Sequence, residues 1–265
     1  MEIGASSACF YPMETEKAFQ RIAELGFDCS EIFINSRCEL EPSFVRELLK
    51  IKEAYNINVT SLHPHSSFSE GYNFFSNYKR RFNDGVEEYK KYFEAAAVLG
   101  AKYIVLHGSN HPLITTEEYA ERFGRLNEVA VSFGCTVAHE NVVKYVGESP
   151  GFMREMRRLL GDSFRTVLDV KQARRAGRSV ADFIDAMDES IVHVHLSDYS
   201  EKCDCIPPCD KGLFDFESLF AALEKIGYKG KYMVELYSDN FSDESEILTS
   251  AKYLEGILNK VKQGF

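Results

Sequence analysis

The sequence predicts a single (β/α)8 TIM barrel domain covering residues 1–265. Short apolar runs alternate with amphipathic segments about eight times, and a barrel of this kind takes about 250 residues. Four helical segments end in a glycine and lead quickly into a strand-like run, which predicts parallel strands joined by crossover helices. These four junctions are Leu25-Gly26, Leu99-Gly100, Phe133-Gly134 and Ile226-Gly227.

An open, doubly wound sheet is the competing architecture, since it also alternates strands with helices. Such a sheet usually carries a glycine-rich phosphate loop after its first strand. Here that turn reads CFYPMETE and contains no Gly-x-Gly pattern. The chain also has no linker, low-complexity segment or shift in composition that would mark a second domain. One barrel is therefore the favoured interpretation.

The first half of the chain supplies four predicted strands and four predicted helices. Ala18, Phe19 and Ile22 follow helical spacing, and Gly26 is placed to end that helix. The polar and aromatic segment 66–83 is predicted to be a long loop over the barrel mouth, where functional loops gather. The predicted strands are 3–10, 29–34, 58–66 and 102–109, and the predicted helices are 14–25, 42–55, 84–99 and 116–133.

The second half continues the same alternation. After the seventh strand comes CDCIPPCDKG, whose Cys203, Cys205 and Cys209 have C-x-C-x3-C spacing. Structural zinc sites usually use C-x2-C pairs, so a loop folded over the mouth is favoured over a zinc site. Asp215 is predicted to cap the next helix. The strands are predicted at 136–142, 165–170, 190–199 and 231–237, and the helices near 150–160, 179–187, 215–227 and 243–262.

Four side chains with metal-ligand chemistry close the last four predicted strands. In a parallel barrel all C-terminal strand ends face one mouth. Carboxylates crowded there would repel one another, and a divalent cation would relieve that repulsion. An oxygen-rich set with one imidazole suits Mn²⁺, Mg²⁺, Co²⁺ or Zn²⁺. Each carboxylate alone could equally cap a helix or pair with an arginine. The four residues are Glu140, Asp169, His195 and Glu235.

A second group of side chains is expected near this centre. His63 and His107 close two earlier strands, and His65 shares a strand face with His63 and points the same way. Substrate binding, a second metal site and core packing are all open for these histidines. Lys171 follows Asp169 by two residues and shares its inward face if the strand continues. It could hold a substrate hydroxyl or phosphate, transfer a proton, or form a salt bridge in the acidic mouth.

Two further histidines are assigned to the protein interior. His193 has the same strand face as His195 but lies deeper, so we expect a hydrogen-bonded core histidine. His139 has the opposite parity to Glu140, so its ring should face the helix layer.

Composition narrows the classes of function. The net charge of −10 argues against sequence-independent nucleic-acid binding, which depends on clustered lysine and arginine. The start MEIGASSACF lacks the basic region of a secretory signal, and no apolar run approaches the roughly 20 residues of a membrane span. Seven cysteines without an export signal are typical of reduced thiols in a cytoplasmic protein. A small-molecule ligand is expected, and a homo-oligomer is compatible with the sequence.

Several motifs together resemble the xylose isomerase-like TIM barrel superfamily. The branch they are most similar to is the sugar phosphate isomerase/epimerase group, which is related to the AP endonuclease family 2 domain. The motifs follow the family's order over nearly the whole chain. They are ELGFDCSEIFI (24–34), EAAAVLGAKYIVLHGS (94–109), AHEN (138–141), TVLDVKQA (166–173), HVHLSD (193–198) and GLFDFESLFAALEKIGYKGKYMVEL (212–236).

The resemblance implies that Glu140, Asp169, His195 and Glu235 bind one divalent ion, which would be Mn, Zn, Co or Mg. It further implies that Glu140 and Glu235 move the proton. The implied activity is isomerisation or epimerisation of a sugar, a sugar phosphate or a related polyol-derived carbonyl compound through an ene-diolate. An inosose-type dehydratase is the first alternative, because it shares the opening proton abstraction. An endonuclease IV-like phosphodiesterase acting on abasic DNA is the second.

Gln172 departs from the pattern of the superfamily. Many members read L-D-x-x-H on strand six, and the DNA-repair members add a D-x-H pair after strand seven. Here Gln172 replaces that histidine and can hydrogen-bond a substrate, and Asp198 is followed by Tyr-Ser-Glu. His63 and His107 match metal-holding positions of the repair members, so a second metal stays open. These departures and the acidic composition argue against nucleic acid as the substrate.

Overall fold

The computed structural model describes residues 2–264. Within this range, eight parallel strands close into one barrel. Each strand pairs with the next along the chain, and the eighth pairs with the first. This confirms the predicted (β/α)8 architecture. The strands are β1 Ile3–Ser6, β2 Cys29–Ile34, β3 Asn58–Pro64, β4 Tyr103–Leu106, β5 Thr136–Glu140, β6 Arg165–Asp169, β7 Ile191–Leu196 and β8 Lys231–Val234.

Ten α-helices surround the barrel within residues 2–264. Gly26, Gly100, Gly134 and Gly227 all have positive φ at the predicted junctions, a conformation that glycine adopts without steric cost. Among residues 2–264, no helix combines the length and the apolar character needed to cross a membrane. The helices are α1 Thr15–Glu24, α2 Pro42–Tyr55, α3 Ser67–Phe74, α4 Lys79–Leu99, α5 Thr116–Ser132, α6 Pro150–Leu160, α7 Val170–Arg175, α8 Val180–Met187, α9 Phe216–Lys225 and α10 Ser245–Gln263.

Side chains along each strand point alternately outward, toward the helices, and inward, toward the barrel axis. Residues that face outward, such as Ile104 and Leu168, join the large apolar core beneath the helices. Residues that face inward at mid-strand form a small separate cluster of Val105, Ala138 and Val167, all fully buried. Ala138 and Val167 precede Glu140 and Asp169 by two residues on the same strands, so these polar strand ends lie directly above buried apolar side chains.

Two expectations about the elements need correction. The predicted loop 66–83 contains α3 and the start of α4. Glu70 of α3 accepts hydrogen bonds from the Gly108 backbone at 2.7 Å and the Tyr89 hydroxyl at 2.8 Å, and Phe74 is fully buried. These tertiary contacts, which no local pattern reveals, hold the segment as a helix. The first strand is also shorter than predicted, because residues 7–10 form a 3₁₀ turn.

Candidate metal centre

Four strand ends bring the predicted ligand residues to one place. Glu140 and Asp169 are the last residues of β5 and β6, His195 lies near the end of β7, and Glu235 directly follows β8. His195 Nδ1 lies 3.4 Å from Glu140 Oε1, 3.9 Å from Asp169 Oδ2 and 3.7 Å from Glu235 Oε2. Three carboxylate oxygens therefore surround one imidazole nitrogen.

The donor atoms fit a divalent cation. Asp169 Oδ2 and His195 Nδ1 are buried and make no hydrogen bond, which is costly for polar atoms unless another partner binds them. Ligands about 2.1 Å from a tetrahedral ion stand about 3.4 Å apart, close to the separations found here. Glu140, Asp169 and His195 together satisfy the spacing expected of a metal-binding group.

His63 and His107 lie directly beside Glu140. His107 Nε2 is 2.9 Å from Glu140 Oε2 and 3.1 Å from His63 Nε2. Burial alone would raise the pKa of Glu140, but His107 holds that pKa well below its usual range. Burial alone would lower the pKa of His107, but the nearby Glu140 carboxylate raises that pKa above its ordinary value. Glu140 is therefore an ionised carboxylate with the His107 ring close to one of its oxygens.

His65 does not join this group, contrary to the expectation that it shares the face of His63. β3 ends at Pro64, and His65 Nδ1 lies 3.3 Å from the Tyr92 hydroxyl beneath α4. The extended alternation on which the expectation depends stops one residue too early.

Lys171 reaches the centre by a different route from the one expected. β6 ends at Asp169, and Lys171 lies in the first turn of α7 rather than on the strand. Its Nζ nevertheless lies 2.9 Å from Glu235 Oε2 and 3.6 Å from Asp169 Oδ2. Burial would lower the pKa of Lys171, but the two carboxylates raise it well above its ordinary value. The salt bridge considered from the sequence is therefore present.

Lys171 also acts on the ionisation of its two partners. Burial raises the pKa of Asp169 to about 6 even though Lys171 opposes the shift. Burial pushes the pKa of Glu235 in the same direction, but there Lys171 prevails and the pKa is lowered. Each of the two glutamates thus has one basic side chain within 2.9 Å: His107 beside Glu140 and Lys171 beside Glu235.

Gln172 lies at the same mouth and connects two strand ends. Its backbone N–H donates to Asp169 Oδ1 at 2.9 Å, and its side-chain Oε1 accepts from the Val143 backbone at 3.2 Å. Asp169 therefore caps α7 with one oxygen and presents the other to the centre.

Sequence reasoning missed Glu31. This glutamate lies within β2, is fully buried, and places Oε2 3.2 Å from His195 Nε2 and 3.1 Å from His193 Nε2. A glutamate inside the otherwise apolar run CSEIFI is the signal that could have found it, because such a carboxylate requires partners.

His193 and His139 lie where they were expected. His193 is buried inside the barrel and is hydrogen-bonded to Glu31 and to Ser61 Oγ. His139 faces the helix layer, where its Nε2 lies 2.9 Å from the Tyr119 hydroxyl.

A cavity of about 350 Å³ opens above these residues. Ligand pockets typically span about 300–1,000 Å³, so this volume fits a small molecule. Tyr11, Phe33 and Tyr237 supply aromatic walls, and Asn35 adds an amide. The remaining walls include His63, His107, Glu140, Lys171, Gln172 and Glu235.

The cysteine-bearing loop after β7 is linked to the wall of this cavity by an ion pair and a hydrogen bond of Arg175. Asp204 Oδ2 accepts from Arg175 Nε at 2.7 Å, and Arg175 donates to the Tyr237 hydroxyl at 2.8 Å. The loop therefore holds an aromatic wall in place, in line with a loop folded at the mouth. Within residues 2–264, no metal-binding group includes Cys203, Cys205 or Cys209.

The chain is similar in sequence and in structure to known proteins. The family described as "Xylose isomerase-like TIM barrel" matches residues 19–257. An uncharacterized protein of Methanocaldococcus jannaschii is 26% identical over 99% of this chain and 92% of that protein. A D-tagatose 3-epimerase-like protein is similar in structure, with a TM-score of 0.79, 21% identity and coverage of 100% of this chain and 99% of that chain. D-Psicose 3-epimerase from Clostridium cellulolyticum H10 has a TM-score of 0.80, 17% identity and coverage of 98% and 99%.

Proposed function

The chain belongs to the xylose isomerase-like TIM barrel family, and from its site we propose that it is a metal-dependent sugar isomerase or epimerase. The observation that carries the proposal is the cluster of Glu140, Asp169 and Glu235 around His195 Nδ1, at the floor of a cavity of small-molecule size. Structural neighbours named as ketose 3-epimerases support the sugar class.

In the proposed mechanism, Glu140, Asp169, His195 and Glu235 hold one divalent ion. That ion would supply Lewis-acid polarisation of a substrate carbonyl, which acidifies the adjacent C–H bond. The native ion would be Mn²⁺, Zn²⁺, Co²⁺ or Mg²⁺, since all accept oxygen-rich sets with one imidazole.

Glu140 and Glu235 are the proposed bases. Glu140 ends β5 and Glu235 follows β8, which lie apart around the barrel, so the two carboxylates can approach a central substrate carbon from different sides. One glutamate takes the proton from the carbon beside the carbonyl, and the electron pair of the C–H bond moves into an ene-diolate. The other glutamate returns a proton to the opposite face, which inverts the carbon.

His107, His63, Lys171 and Gln172 are the proposed substrate-binding residues. His107 and Lys171 each lie 2.9 Å from an oxygen of one base and also face the cavity, so each can donate to a substrate oxygen when that base is protonated. Gln172 and His63 complete the polar wall.

A screen of C–H exchange in D₂O tests the proposal. The purified protein is stripped of metal, reloaded separately with Mn²⁺, Zn²⁺, Co²⁺ or Mg²⁺, and incubated with ketoses, ketose phosphates and inososes. We expect metal-dependent incorporation of deuterium at the carbon beside the carbonyl of at least one ketose. Exchange accompanied by loss of water from an inosose would favour the dehydratase, and no exchange with any metal would contradict the proposal.

We expect no cleavage of abasic duplex DNA above background. Gln172 uses its side-chain oxygen to accept from Val143 and cannot serve as an anionic or imidazole ligand of a metal cluster. Asp198 Oδ1 accepts hydrogen bonds from the backbone N–H groups of Tyr199 and Phe214, and these bonds hold the loop after β7. A gel assay with an abasic oligonucleotide checks this, and cleavage abolished by a chelator would favour the phosphodiesterase instead.

A further inference from the structure

We propose that Glu31 is a positioning residue of the metal centre, which fixes the His195 ring so that Nδ1 faces the ligand carboxylates. This inference rests on the proposed function and adds a residue that itself touches neither substrate nor metal. Glu31 comes from β2, whereas the four proposed ligands come from the ends of β5, β6, β7 and β8.

The Glu31 carboxylate is held in one position by hydrogen bonds to both oxygens. The side chain is fully buried, so solvent supplies none of its partners. Oε1 accepts from Ser6 Oγ at 3.1 Å, and Oε2 accepts from Ser61 Oγ at 2.8 Å. Oε2 also lies 3.1 Å from His193 Nε2 and 3.2 Å from His195 Nε2. Three neighbouring strands thus anchor one acceptor beneath the His195 ring.

The position of this acceptor determines which nitrogen of His195 can bind a metal. A neutral imidazole carries one N–H group and one lone pair. With the proton on Nε2 and donated to Glu31, the lone pair is on Nδ1, the atom that lies among the three ligand carboxylates. A carboxylate partner also raises the basicity of the imidazole, which strengthens it as a ligand.

The same contacts argue against Glu31 as a ligand of its own ion. Glu31, His193 and His195 are close enough to be considered as a metal-binding group. However, both Glu31 oxygens already accept hydroxyl hydrogen bonds. An ion placed there would displace the Ser61 hydroxyl from Glu31 Oε2. It would also bind His195 through Nε2, the nitrogen that faces away from the other carboxylates.

The test compares the metal affinity of wild type, Glu31→Gln and Glu70→Gln. Glu70 is the matched control, because it is also buried and hydrogen-bonded through both oxygens but has no contact with His195. Competition with a chelator gives the affinity for Co²⁺ and Zn²⁺. Loss of such a supporting carboxylate typically costs about 10–100-fold in metal affinity. We expect that loss for Glu31→Gln and wild-type affinity for Glu70→Gln.

A spectroscopic readout separates positioning from general support of the fold. Long-range ¹H–¹⁵N spectra of the metal-loaded protein should show the His195 proton on Nε2. In Glu31→Gln this proton should move upfield, because an amide oxygen is a weaker acceptor than a carboxylate. Ser61→Ala serves if Glu31→Gln does not fold. It removes one hydrogen bond to Glu31 and should lower metal affinity by less than about tenfold.

Three results would overturn the inference. The first is a folded Glu31→Gln variant with wild-type affinity, or wild-type affinity in Ser61→Ala where Glu31→Gln does not fold. The second is a second equivalent of metal in wild type that Glu31→Gln loses, because Glu31 would then be a ligand. The third is a wild type that binds no divalent ion, which would refute the proposed function as well. In the first two cases the proposed function stands and only the role of Glu31 fails.

Discussion

Glu140→Gln and Glu235→Gln should each lower the turnover rate of the metal-saturated protein by about 10²–10⁴-fold, the contribution typical of a positioned general base. Glutamine keeps the size of the side chain and one oxygen, but it cannot accept a proton from carbon. Glu140 is ionised because His107 lowers its pKa, and Glu235 because Lys171 does so. The measurement is turnover on whichever ketose shows exchange, with bound metal quantified in each variant.

The two variants should also differ in which epimer still exchanges its C–H with D₂O, because each retains a base on one face only. Glu39→Gln is a suitable control, since Glu39 is a buried carboxylate that hydrogen-bonds Thr15 and Asn35 near the same mouth. It should keep turnover near the wild-type value. Identical residual exchange with both epimers in both base variants would contradict a two-face mechanism and favour a single base or a dehydratase.

The fold and the convergence of the four candidate ligand residues could be predicted from the sequence because both depend on a regular rule. Glycine-terminated helices alternate with apolar strands, and a parallel barrel directs every strand end to one mouth. The positions of Glu140, Asp169 and His195 follow from counting strands, without knowledge of any tertiary contact. Their convergence within 3.4–3.9 Å is a consequence of that topology.

Contacts between elements distant in the chain could not be predicted in this way. α3 is held by hydrogen bonds that Glu70 accepts from the Gly108 N–H and the Tyr89 hydroxyl, whereas its local sequence resembles a polar loop. Lys171 reaches Glu235 from a helix start, because α7 begins directly after Asp169. The assumption that β6 continues to Lys171 correctly predicted that its side chain lies near the centre. It wrongly predicted an extended backbone, because Lys171 is helical.

Glu31 shows a different limit. Its strand position was identified correctly, yet it lies mid-strand and not at a strand end, so a search of strand ends passes over it. Only the barrel closure reveals that its carboxylate lies beside His193 and His195 of β7. Buried charged residues within apolar strands are therefore as informative as those at strand ends.

Asp169→Asn should abolish most metal binding while leaving the fold intact. Asp169 Oδ1 caps α7 by accepting from the Gln172 backbone, and an asparagine oxygen can make the same bond. The charged Oδ2, which makes no hydrogen bond and faces the centre, is lost. Removal of a direct ligand should cost more than the roughly 100-fold that loss of a supporting residue can cost. Chelator competition and bound-metal analysis measure the change.

Thermal unfolding gives an independent measurement of the same substitution. A metal present at 100 times its Kd stabilises wild type by about 2.7 kcal/mol, and that increment should disappear in Asp169→Asn. The metal-free variant should be at least as stable as metal-free wild type at neutral pH. Burial raises the pKa of Asp169 to about 6, so above that pH the folded wild type holds an unfavourable charge that asparagine lacks. For the same reason, wild-type metal affinity should fall as the pH drops through about 6, since the protonated carboxyl is a poor ligand.

Asp198→Asn is the matched control for this substitution. Asp198 is another buried aspartate at the same end of the barrel, but its Oδ1 accepts from loop backbone groups and it lies outside every metal-binding group found in residues 2–264. It should keep wild-type metal affinity and a wild-type response to metal in thermal unfolding. Full metal retention in Asp169→Asn would contradict the ligand assignment, because no other atom of that side chain is left to replace the carboxylate charge. Equal loss in both variants would instead attribute the effect to the barrel mouth as a whole.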